Sequence, residues 1–303
     1  MKISKIYANN ENFKTIVFDK GINFILANEN CVGKTSLFKL IDFCLLGDKS
    51  FLSNEHFKNY IFYIELQTAS NRYITIKRPI VSGKNIELKI TKQKSMLLDE
   101  KSFNKKGSLG IAKSFFENKV NYSINKFRTY VTYFLRDETN QNDPFILNKH
   151  LSSTKMEYKT IISKLASNDR LIDNITKYGK MVLDKEITIS NESEFRIIVN
   201  EREEDCSSTI NKLLCFIYAA ALAESYVQKR LIKFVAFDCP FDGDKNSYKK
   251  GIYNAVHELH RKGIQTIITT NEDDITNTEI LKEIKDEYLT GYISPEDKLM
   301  GEF

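Results

Sequence analysis

No stretch of the 303-residue chain is apolar for long enough to span a bilayer, no signal peptide opens it, and its five cysteines form no CxxC pair. These gaps give no reason to expect a helical membrane span or a signal-led route of export. They point to a soluble protein of a reducing cytoplasm. A dense run of Lys or Arg is also missing: the net charge of +5 is spread thinly, which permits contact with nucleic acid without arguing for it. There is no internal repeat and no low-complexity tract. What remains is 42% hydrophobic and 28% charged, the balance of an ordinary folded chain with room for one large domain or two medium ones.

Short strand-like segments come first: KISKIYA, TIVF and GINFILA, each rich in β-branched or aromatic residues and broken by Asn, Gly or Lys. After Lys34 the apolar residues Leu37, Leu40, Ile41, Cys44 and Leu45 recur at three- and four-residue steps, which predicts a helix, with Gly47 at its cap. Alternating stretches at Tyr60 to Gln67, Arg72 to Ile80 and Asn85 to Thr91 predict an antiparallel meander. A helix follows around Ser108 to Asn118. Between Leu147 and Glu186 the pattern is helical and polar, with Ile161, Ile162, Leu165, Leu171, Ile172, Ile175 and Met181 as its apolar positions. The second half alternates differently. A long apolar helix from Ser208, the strand LIKFVAFD, a helix from Ser247 to Lys262 and the strand QTIITT indicate a parallel sheet covered on both faces.

The segment NENCVGKTS joins the strand Ile22 to Ala27 to the first helix. A loop that holds a triphosphate aims backbone N–H groups at it, supplies a cation near the β- and γ-phosphates and places a hydroxyl on Mg²⁺. Gly33, Lys34 and Thr35 supply these in order, and Asn28, Asn30, Val32 and Ser36 complete the set expected around ATP. The first glycine of such a loop is absent. Asn28 stands there, and Asn is the residue after glycine that most readily takes positive φ. The metal needs a second acid at the end of a parallel strand, and Asp238 follows an apolar strand about 200 residues beyond the loop. Thr35 and Asp238 are therefore the expected Mg²⁺ pair.

VGKTSLFKLIDFCLLGD, FRTYVTYFLRD, CSSTINKLL and FDCPFDG, in that order, resemble the SMC/RecF/RecN-type ABC ATPases. The likeness is strongest to a bacterial branch whose members carry a long coiled coil, and it covers both halves of the chain. It implies an α/β ATPase head: an N-terminal lobe over 1–146 with the loop and a β meander, a helical insertion over 147–186 as a stub of the coil, and a C-terminal lobe over 187–303. It also implies ATP-dependent homodimerisation, with Ser207 or Ser208, at the start of the long apolar helix, reaching the nucleotide of a second copy.

The chain departs from that pattern in several places. The usual glycines are missing around Ser207. In LRDETNQ the residues Arg136, Asp137 and Gln141 all remain candidates for a metal- and water-facing side chain. Asn271 stands where a switch His commonly follows the last core strand. Cys239 replaces the glutamate that would orient water, and a thiol is a weak acceptor, so hydrolysis should be slow, with Asp242 the favoured substitute carboxylate and Asp244 the other near it. His257 and His260, three apart on a helix, lack a third metal ligand and read as a packed or solvated pair. Arg78 reads as an edge-strand charge before Pro79. Three functions follow as expectations: an ATP-hydrolysing head acting on DNA or an associated effector in antiviral defence or DNA repair; a non-hydrolysing ATP-dependent dimerisation switch that recruits a protein partner; and, disfavoured, a small-molecule phosphotransferase.

Overall fold

A computed structural model describes residues 1–30, 33–47, 57, 59–81, 85–92, 103, 105–120, 128, 131–137, 141, 169–189, 197–199, 208–226, 232–241 and 246–294. Six strands form an antiparallel sheet: β1 (Lys2–Ala8), β2 (Ile16–Val17), β4 (Ile61–Gln67), β5 (Tyr73–Pro79), β6 (Ile86–Thr91) and β7 (Lys105–Gly107), in the order β2-β1-β4-β5-β6-β7. Its inner face is apolar, through Ile6, Phe62, Ile64, Ile74, Ile76 and Leu88. On the other face Tyr7 and Tyr63 are cross-strand partners, and their rings stack at 4.8 Å.

The second sheet is parallel throughout. β13 (Leu289–Ile293), β3 (Ile22–Ala27), β12 (Gln265–Asn271), β11 (Phe234–Asp238) and β8 (Leu135–Arg136) lie in that order, so segments from both halves of the chain meet in one sheet. β3 and β11 are buried at every residue, the signature of a sheet covered on both faces. Helix α1 (Lys34–Cys44) fills the space between the sheets, packing on β4 and β5 of one and on β8 and β11 of the other. After α2 (Leu109–Val120), helices α3 (Asp169–Leu183), α4 (Ser208–Tyr226) and α5 (Asn246–Arg261) pack together, and α4 and α5 also lie on β11 and β12. Phe216 of α4 meets Phe237 of β11 edge-on at 5.4 Å. Strands β9 (Ile187–Ile189) and β10 (Ile197–Val199) form a separate ribbon, and the short α6 (Thr278–Glu283) precedes β13.

A buried glutamine ties the two sheets together. The Gln265 side chain donates to the carbonyls of Ile3 (2.7 Å) and Asp19 (2.6 Å) and accepts from the Ile3 N–H (2.8 Å). This satisfies β1 where its register shifts between Ile3 and Lys5.

Two local readings are corrected. Gly47 is not the left-handed residue that ends α1: Leu46 is, at φ 70°, and Gly47 is favoured because a Cβ there would lie 2.6 Å from the Asp42 backbone carbonyl oxygen. Arg78 is not on an edge. β5 lies inside its sheet, and Arg78 is only 5% exposed. No helix among the described residues is long and apolar enough to cross a membrane.

Candidate functional site

Parallel pairing brings three strand ends to one edge of the sheet. Asn271 is in register with Ala27, and Asp238 with Thr269, so β3, β12 and β11 all finish beside the start of α1. Ligands of open α/β sheets bind at such carboxyl ends. The chain leaves β3 at Asn28 and re-enters regular structure at Gly33, the N-cap of α1, with φ 108° and no side chain of its own to cap the helix. The first N–H groups of α1 therefore point out of the helix, where they can meet an anion. Asn28 is exposed, and it is not among the described residues with positive φ. The loop leaves β3 without the conformation that glycine would supply, which corrects the expected reason for Asn at that position.

Lys34 is 5% exposed despite its charge, and its ammonium is satisfied by the Glu29 carbonyl (2.9 Å) and by the Asn271 side-chain oxygen. Asn271 donates in turn to Asn30 Oδ1 at 2.8 Å. At the next residue the Thr35 hydroxyl donates to Asp238 Oδ2 at 2.6 Å. Asp238 is fully buried; desolvation pushes its pKa up, against hydrogen bonds from Thr269, Thr35 and Cys239 that favour the charged form. Thr269 has no sequence signal that marks it out. It is one threonine among several in QTIITT, and only the register with Asp238 gives it a role.

The three candidates in LRDETNQ separate. Arg136 is buried at 0% exposure, with its Nε on the Tyr133 carbonyl at 3.4 Å. Gln141, also at 0%, donates to the Asp238 carbonyl (2.7 Å) and to the Arg136 carbonyl (3.2 Å), bracing the exits of β11 and β8. Asp137 is the one whose charge reaches the Asp238 carboxyl, and it opposes ionisation there. Cys239 sits beside the acid in the left-handed region at φ 47°, its N–H on the Thr269 carbonyl (2.8 Å) and its thiol 3.5 Å from Asp238 Oδ1.

Ser36 lies in the first turn of α1, half-buried. Ser208 is the first residue of α4. Val32, Ser207, Asp242 and Asp244 lie outside the described residues, as do Ile161, Ile162 and Leu165 of the insertion. His257 packs between Tyr253 and Tyr288 at 4.5 and 5.4 Å, and His260 lies against Gly21. Among the described residues no group of three or more His, Cys, Asp or Glu is placed to hold a metal.

No protein-family model and no curated protein matches the chain. Solved structures do. The SMC head bound to the C-winged helix domain of ScpA aligns with a TM-score of 0.55 at 12% identity, over 93% of this chain and 92% of that one. The SMC head domain from Thermotoga maritima aligns at 0.50 and 12% identity, over 96% and 94%. The recombination mediator protein RecF aligns at 0.49 and 14% identity, over 91% and 94%. The chain has the fold of an SMC-type ABC ATPase head, as the resemblance in its motifs implies.

Proposed function

We propose that the chain binds ATP with Mg²⁺, dimerises on it and hydrolyses it slowly, acting on DNA or on an associated protein effector. One observation carries this reading: Lys34, Thr35 and Asp238, some 200 residues apart in sequence, converge on one helix start, with the Thr35 hydroxyl 2.6 Å from the Asp238 carboxylate. A hydroxyl and a carboxylate are both hard oxygen donors and fit Mg²⁺. Bound there, the ion would neutralise charge on the phosphates. Lys34 faces the same charge as a cation, the N-terminus of α1 adds its dipole, and Gly33 leaves room for close backbone approach. Asp238 and Thr35 would hold the metal, and Asn28, Asn30, Val32 and Ser36 would face the nucleotide. Residues 1–146 and 187–303 are the two lobes and 147–186 the arm stub, of which α3 is the described part.

Slow turnover follows from Cys239. The thiol beside Asp238 donates a weak hydrogen bond and cannot accept one from water as a carboxylate does. Asp242, three residues further along the sequence, is the substitute acid. The same replacement favours a second reading, a switch that binds ATP and recruits a partner without hydrolysis. Ser208, the first residue of α4, and Ser207, which precedes it in sequence, would serve the nucleotide of a second copy, which makes dimerisation the partner of binding. One SMC head of this fold was solved with the winged-helix domain of ScpA, and this supports a protein partner; antiviral defence and DNA repair are the settings proposed from the motif resemblance.

Calorimetry with ATP and Mg²⁺ tests the binding site. Lys34→Ala should abolish binding with little loss of fold, since alanine suits a helix start, and unchanged affinity would remove the assignment. Sedimentation should show ATP converting monomer to dimer, and Ser207→Arg should block it. Asp242→Asn should lower turnover about a hundredfold while dimerisation persists. No turnover above the Lys34→Ala background, with ATP still bound, selects the switch.

A further inference from the structure

Lys34 at the start of α1 is held by the side chain of Asn271, at the end of β12. Its ammonium is buried, and a buried ammonium must find acceptors. Glu29 supplies a backbone carbonyl from the loop itself, and Asn271 supplies a side-chain oxygen from the end of β12. The register of β12 with β3, Asn271 opposite Ala27, sets that oxygen at the mouth of the loop. The other end of the amide holds Asn30 Oδ1 at 2.8 Å, so the side chain spans the loop from Lys34 to Asn30.

We propose that Asn271 is a positioning residue that stands in for phosphate, holding Lys34 while the loop is empty and yielding it when nucleotide enters. This rests on the nucleotide-binding reading and deepens it. It also runs against the role that the motif resemblance implies for a residue at this place, a direct contact with the bound nucleotide. The two roles predict opposite signs. A contact made with bound nucleotide weakens binding when it is removed. A contact made only in the empty state raises the energy of that state when it is removed, and by linkage binding tightens by the same factor. A neutral amide gives up a lysine to a phosphate readily, because the charge-assisted bond to the anion is stronger.

Asn271→Ala and Asn271→Asp, measured by calorimetry with ATP and by thermal melts with and without it, test the inference. Asn271→Ala should lower the melting temperature of the empty protein, leave that of the ATP-saturated protein unchanged, and tighten ATP binding about tenfold, the usual worth of a hydrogen bond to a charged group. Asn271→Asp keeps an acceptor and adds a charge that competes with phosphate. It should restore or raise the empty melting temperature and weaken ATP binding about tenfold or more. A purely structural Asn271 would lower both melting temperatures alike and leave affinity unmoved, and a phosphate-contacting Asn271 would weaken binding in the alanine variant. Either result overturns the inference while Lys34→Ala still abolishes binding. If Lys34→Ala binds as wild type does, the nucleotide reading itself falls and takes the inference with it.

Discussion

The two ends of α1 meet charged and polar groups in opposite ways. At the C-terminal end, roughly 16 Å along the axis from Lys34, two arginines donate to the last carbonyls. Arg78 donates to the Phe43 carbonyl and lies 3.9 Å over the Phe43 ring, and Arg128 donates to the Leu45 carbonyl at 3.0 Å and to Asp42 at 2.6 Å. These contacts are complete within the protein. At the N-terminal end Gly33 provides no side-chain cap, and Lys34 and Thr35 turn to side chains on β12 and β11. One end is finished as a structure needs; the other keeps a buried lysine and a buried carboxylate that hydrophobic packing alone would not retain.

If the C-terminal end is purely structural, its arginines should cost stability and nothing else. Arg78→Ala is expected to have the largest effect on the fold. It removes a planar group stacked on Phe43, takes away one of the two donors to the Phe43 carbonyl, which keeps the Leu46 N–H at 3.0 Å, and opens a cavity beside α1, together about 3 kcal/mol. Arg78→Lys should recover little, since an ammonium neither stacks nor forks. Urea denaturation measures both, and a loss below about 1 kcal/mol for the alanine variant would mean that this end of the helix holds itself. Arg128 is 17% exposed and its pair with Asp42 is partly solvated, so Arg128→Ala should cost about 1 kcal/mol by the same measurement. Neither variant that folds should alter ATP affinity, and a change there would blur the contrast between the two ends.

The same contrast divides what was legible in the sequence. The N-terminal end could be read because its groups lie in one short run: Gly33, Lys34 and Thr35 follow a buried strand and open an amphipathic helix. Asp238 could be read because a carboxylate closing an apolar strand is conspicuous. Arg78 was misread as an edge charge, since the strand order that places β5 between β4 and β6 cannot be seen in β5 itself. Thr269 and the clasp of Asn271 on Lys34 depend on the register of β12 with its neighbours, which a single strand does not encode. The strands and helices of the parallel sheet fell close to their expected bounds because continuous burial leaves a continuous apolar run. β9, β10 and the elements after Asn271 are short or half-exposed and leave no such run.

Asp238 sharpens the comparison with an effect of opposite sign. Arg78 and Asp238 are both buried, but at Asp238 the hydrogen bonds from Thr269, Thr35 and Cys239 do not outweigh the cost of desolvation. Burial raises the Asp238 carboxyl above its ordinary value of 3.8, despite the hydrogen bonds that resist this. A carboxylate raised on folding contributes stability that is fully present below the unfolded value and is lost as pH rises through the folded one. In metal-free protein that contribution falls away as pH rises through the folded value. Asn at this position keeps the shape, accepts from one threonine hydroxyl and donates to the other, and carries no charge to desolvate. Asp238→Asn should therefore melt higher than wild type at pH 7 with chelator present, by less than the Arg128→Ala loss, and the advantage should vanish as pH is taken below about 4. Added Mg²⁺ with ATP should reverse the order, since only the wild type answers the ion with a charge. If the variant melts lower than wild type in chelator at pH 7, Asp238 is a structural acid held by its hydrogen bonds, and the two ends of α1 are built alike.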